Sequence, residues 1–193
     1  MMPPLPPDCR LALKEWASVV RLLEQGEQVL LVRKGGLIDP VEGFEVRAPV
    51  FLFYPTREHQ TVNYLRPRFV PEFERALGEW PTDGQLHLRL VGVAAEVARV
   101  RDADAIRRLE RFHPYNDAFV EQRLRWQPGQ PLVLVAVRAY RLPRERVLPV
   151  RPDYAGCKSW VDLNQPVDLT GAKPVLSEDA FKRRLNEVDR LLA

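Results

Sequence analysis

Cysteine occurs twice in 193 residues, methionine twice and histidine three times. Two thiols, Cys9 and Cys157, do not make a disulfide framework, and a cytoplasmic chain keeps them reduced. His59, His87 and His113 repeat no metal-ligand spacing, and neither H-x-x-x-H nor C-x-x-C occurs, so no metal and no cofactor is expected. Long apolar runs are missing too. Leu132 to Val137 is among the longest, far short of the roughly 20 residues a bilayer helix needs, which predicts a cytoplasmic protein with no membrane partner. The opening MMPPLPPDCR lacks the basic-then-apolar pattern of a signal peptide; its four prolines read as a flexible Pro-rich tail, residues 1–8, before a single domain over residues 9–193. Lysine is the last scarcity. Only five of the 29 basic residues are lysines, so 24 are arginines, at a net charge of just +3. That bias fits a GC-rich, thermophile-like composition, and it equally supplies planar forks that grip phosphate in two places.

What is present is an alternation of helical and strand patterns. CRLALKEWASVVRLLEQG carries Leu11, Trp16, Val19, Val20 and Leu23 at helical spacing and predicts a first helix ending at Gly26. Gln28 to Arg33 and Pro49 to Tyr54 read as strands of a hairpin or meander, with a short strand over Phe44 to Arg47 between them. Short helices are expected after Thr56 and from Pro71. GQLHLRLVGVAAEV alternates, with Leu86, Leu88 and Leu90 on one face. Asp102 caps a helix burying Ile106, Leu109 and Phe112, whose other side, Arg107, Arg108 and Arg111, makes a basic patch. A helix over Phe119 to Trp126, a strand in PLVLVAVRAYRL, another in ERVLPV, a long loop through YAGCKSW, and a last helix capped by Ser177 complete the chain. Helices and strands interleave without a strand-helix-strand period, which predicts an α+β domain around a mixed, barrel-like sheet with flanking helices.

Three polar clusters end apolar segments. Arg33 and Lys34 precede Gly35 and Gly36, where bare backbone lets phosphate approach peptide N–H groups, unless the glycines merely make a turn. In YPTREHQ, Arg57 and His59 stand where they could hold a phosphate or a base edge, or bond locally. In GCKSW, Lys158 and Trp160 fit an anion contact and a base stack, and Trp160 equally fits a core position. Thiol chemistry at Cys157 would need His59 or His113 brought beside it by folding. No residue can be named catalytic from the sequence.

ALKEWASVVRLLEQGEQVLLVRKGG, GFEV, FLFYPTREHQ and YAGCKSWVDL resemble the recurring blocks of a bacterial family described as domain of unknown function 1802, over Leu11 to about Leu163. That resemblance implies no activity and carries over no catalytic residue. Gly26 and Arg33 also match part of the G-x-K-x-x-E-x-R pattern of ASCH domains in the PUA-like superfamily, with Gln28 and Leu31 replacing the lysine and the acid. This likeness implies a PUA-like barrel and binding of RNA or modified bases.

The expectation is therefore binding of RNA or a phosphate-bearing small molecule through Arg33, Lys34, Arg57, His59, Lys158 and Trp160. The alternative is a metal-dependent nuclease using Asp39, Glu42 and Glu45, in which Arg47 takes the place of the lysine of an E-x-K element. The sequence leaves open whether there is catalysis and whether the three loops meet.

Overall fold

The segment expected to form a long first helix begins as a strand. In the computed structural model, which describes residues 3–34 and 43–193, Asp8–Trp16 is β1 and helix α1 is confined to Ala17–Glu24. The cause is burial on two sides. Ala12 and Leu13 are adjacent and both fully buried, yet they belong to different apolar clusters, one on each face of β1. A strand apolar on both faces has no clean period of two, so its hydrophobic positions also fit a helical count. Gly26, at φ +72°, ends the following turn as expected, and a Cβ there would lie 2.8 Å from Leu176.

The other strands are β2 (Leu30–Arg33), β3 (Val50–Thr56), β4 (Gln85–Val100), β5 (Leu132–Pro149), β6 (Trp160–Asp168) and β7 (Lys173–Pro174). They form one mixed sheet in the order β2-β5-β4-β3-β1-β6, with β7 beside β5. β1 and β3 run parallel and all other pairs are antiparallel. The fold is α+β as expected, but the sheet does not close: β2 and β6 end the order. Four details differ from expectation. β2 and β3 are not a hairpin, because β5 and β4 stand between them. PLVLVAVRAYRL and ERVLPV are one 18-residue strand. β6 lies in the stretch expected to be loop, and no strand forms over Phe44 to Arg47.

β4 and β5 make a long bent ribbon, with register shifts between Leu88 and Leu90 and between Ala94 and Glu96. An extra residue in one strand turns the following side chains to the other face. Leu86 and Leu88 accordingly join one cluster and Leu90 the other, so the three leucines are buried but do not share a face. Where β4 passes between β3 and β5, Gly92 has no room for a side chain; a Cβ would lie 2.8 Å from both Phe53 and Val137.

Helices cover the sheet. α2 (Val70–Gly78) has Pro71 in its first turn, and Asp102 caps α3 (Ala103–Arg108) by accepting from the N–H groups of Asp104 and Ala105. Asn116 caps α4 (Asp117–Arg125), and Ser177 caps α5 (Glu178–Leu192), accepting from Ala180 N–H at 3.2 Å. The expected basic patch is spent on neighbours: Arg107 pairs with Asp104 at 2.6 Å and Asp117 at 3.3 Å, Arg111 with Glu187 at 2.8 Å, and Arg108 donates to Leu191 O at 3.0 Å. Among the described residues no helix is long and apolar enough to cross a membrane.

Candidate functional site

Parallel strands end at the same level, and the space beyond their carboxyl ends is where α/β sheets commonly seat ligands. Trp16 and Thr56, the last residues of β1 and β3, are register partners. β2 ends nearby at Arg33, and the loop entering β6 passes over the same level, Lys14 N–H donating to Ser159 O at 2.8 Å. Between them lies an open pocket of about 150 Å³. Its lining carries five cations, Lys14, Arg33, Lys34, Arg123 and Lys158, against two carboxylates, Glu15 and Glu58.

The floor is aromatic. Tyr115 and Phe119 stack with ring centroids 3.9 Å apart, and Trp16 meets both edge-on at 5.5 and 5.9 Å. Burial, with the Glu15 carboxylate beside it, pushes the Tyr115 phenol well above its ordinary pKa. Glu15 itself is fully engaged: one oxygen accepts from Trp16 N–H at 2.8 Å and the other from Arg33 Nη1 at 2.9 Å. Arg33 also donates to Lys14 O and to Ser159 Oγ, both at 3.1 Å, and lies 5.1 Å above the Phe44 ring. It is thus a clasp from edge strand β2 to β1 and the β6 loop.

The remaining cations differ in how far they are satisfied. Lys14 Nζ donates to Gly156 O at 3.1 Å and pairs with Glu58 at 3.4 Å. Lys34, only 3% exposed, donates to Gln130 O at 2.7 Å; burial lowers its pKa, helped by Arg101 and Arg123. Lys158 Nζ donates to Asp153 O. Arg123 is half-buried and rests 5.1 Å above the Phe119 ring, with no ion pair to any described residue. Burial lowers its pKa and Arg33 adds to the effect, although Tyr115 and, beyond ion-pair distance, the Glu15 carboxylate oppose it.

Of the six residues expected to bind, the pocket gathers Arg33, Lys34, His59 and Lys158. The RKGG, YPTREHQ and GCKSW segments therefore do meet, though Gly35 and Gly36 lie outside the described residues. Arg57 turns away and sits 4.8 Å above the Trp80 ring. Trp160 is a core residue, 7% exposed, stacked on Phe44 at 5.8 Å and donating through Nε1 to Glu45 O at 2.9 Å, so it offers no face to a base. Thr56 caps no helix; its hydroxyl accepts from Glu58 N–H at 3.0 Å in a turn that puts His59 at φ +59°. That turn brings His59 Nε2 within 3.6 Å of Cys157 Sγ. Lys14, Glu15, Tyr115 and Arg123 were not foreseen as site residues. A charged Lys-Glu pair inside an apolar run was the available signal for the first two.

For the nuclease alternative, Glu45 is exposed and Asp39 and Glu42 lie outside the described residues. Among the described residues no three His, Cys, Asp or Glu side chains are grouped to hold a metal ion.

No curated relative matches the chain. Among solved structures it is similar to a mutant of the ASCH protein from Zymomonas mobilis, at 9% identity and a TM-score of 0.48, over 83% of this chain and 92% of that one. The family model described as domain of unknown function (DUF1802) matches residues 12–187, from the middle of β1 into α5, and so includes every strand and loop that lines the pocket. The chain belongs to the DUF1802 family.

Proposed function

We propose that the pocket at the ends of β1, β2 and β3 binds a phosphate-bearing ligand, a nucleotide either free or within single-stranded RNA. The observation that carries this reading is Arg123. A half-buried guanidinium with no ion pair among the described residues is costly, and a ligand anion reaching it would supply one. Lys34 and Lys14 line the same pocket. Size narrows the choice. About 150 Å³ is below the roughly 300–1,000 Å³ of sites that enclose a whole small molecule, and a cavity of about that volume is known to admit one benzene-sized ring. One base or one phosphate group enters, and the rest of the ligand stays outside, as a splayed single strand allows and a duplex does not.

The test is a titration of short single-stranded RNA, and of a nucleoside monophosphate beside its nucleoside, at several salt concentrations. Arg123→Ala is expected to weaken phosphate-bearing ligands about tenfold and to reduce the salt slope for RNA by about 0.7, the share of one phosphate contact on a single strand. Equal binding of nucleotide and nucleoside, or an unchanged slope, would overturn the reading.

A further inference from the structure

We propose that Cys157 and His59 are a nucleophile and its base at the mouth of this pocket, acting on acyl compounds that carry an anionic group. The two side chains come from different loops 98 positions apart, and both are exposed to an incoming substrate. Sγ lies 3.6 Å from Nε2, within reach for the imidazole to take the thiol proton. The contact is held from both sides. His59 adopts the left-handed φ of +59° that a non-glycine residue keeps only when its surroundings enforce it. Gly156, just before the thiol, has its carbonyl bonded by Lys14 Nζ at 3.1 Å and by Lys158 N–H at 2.9 Å. The preference for an anionic substrate rests on reading the cations of the pocket as an anion seat.

The reaction runs in two halves. His59 takes the Sγ proton as sulfur bonds to the carbonyl carbon. The tetrahedral adduct then collapses, its bond to the leaving alkoxide or amine breaks, and that group takes the proton from the imidazolium. Water, deprotonated by His59, next attacks the thioester; the carboxylic acid leaves and the thiol is restored. Cys9 provides an internal contrast, since it is buried in the opposite cluster, where burial raises its pKa and its thiol faces Leu11 O at 3.4 Å.

The full chain is treated at pH 7 with mono-4-nitrophenyl glutarate and, separately, with neutral 4-nitrophenyl acetate, with glutathione as the reference thiol. Nitrophenolate release gives the rate, and peptide mass spectrometry gives the acylated residue. Acylation is expected at Cys157 and not at Cys9, with a glutarate-to-acetate rate ratio at least about fivefold above that of glutathione, a preference that added salt erodes. His59→Gln should slow both esters about tenfold or more, because an amide cannot take the proton. An unchanged rate in His59→Gln overturns the pair, whatever the ester ratio. If the rate falls but the ratio equals that of glutathione, the anionic preference fails, and with it the anion reading of the pocket, while the pair stands.

Discussion

Lys158 and Trp160 are two positions apart and stand in opposite environments. The indole lies among Phe44 and Phe51, so Trp160→Ala should destabilise the protein by about 3–5 kcal/mol in chemical denaturation, as removal of a buried aromatic does. Lys158→Ala, whose ammonium is held by the neighbouring Asp153 carbonyl at the surface, should stay within about 0.5 kcal/mol. His113 shows how a histidine can be silent at neutral pH. It is fully buried between α3 and α4, with Nε2 facing Ile106 O at 3.1 Å and Nδ1 accepting from Tyr115 N–H. Burial holds its pKa to about 4 against an ordinary 6.5. Below about pH 6.5 the unfolded chain takes up a proton that the folded one refuses. Stability is therefore full above that pH and falls toward pH 4, by up to about 3 kcal/mol from this residue. Urea melts from pH 7 to 4.5 should show the decline, and His113→Gln should make it shallower.

Among the elements, the clasp between β2 and β1 is the one whose loss should be felt most. Glu15 has a side chain only 2% exposed, and Arg33→Ala would leave that carboxylate buried without its cation. The expected cost is about 3–5 kcal/mol, read as a drop in the denaturation midpoint. Glu15 and Arg33 also mark what could be read in advance. The strands expected over Gln28 to Arg33 and Pro49 to Tyr54, the caps at Asp102 and Ser177, and the three polar loops were legible, because each depends on a local pattern. β1 was not, since both its faces are buried and Lys14, with Ser18 and Arg21, fits the polar side of a helix. β6 was missed because Asn164, Gln165 and Pro166 interrupt its apolar residues, and its strand character comes from pairing with β1 far away. Arg123 was invisible for a related reason: nothing in its own helix says that it will be half-buried beside a neighbouring strand end with no ion pair among the described residues.

At the scale of the whole molecule, the site exists because distant segments arrive at one level of one sheet. Arg33, His59, Arg123 and Cys157 each come from a different stretch, and no local pattern encodes their meeting. β1 sits between β3 and β6 in that sheet, with Ala12 opposite Val161. In the cell this arrangement sets an order in time. At roughly 5–20 residues per second, a ribosome that has made Ala12 needs on the order of 10 to 30 s to reach Val161, and throughout that interval one edge of β1 has no partner. An unpaired apolar edge is the usual start of aggregation. β1, at the heart of the pocket, thus waits for β6, which is made long after it, and the nascent chain is most in need of a chaperone during that wait.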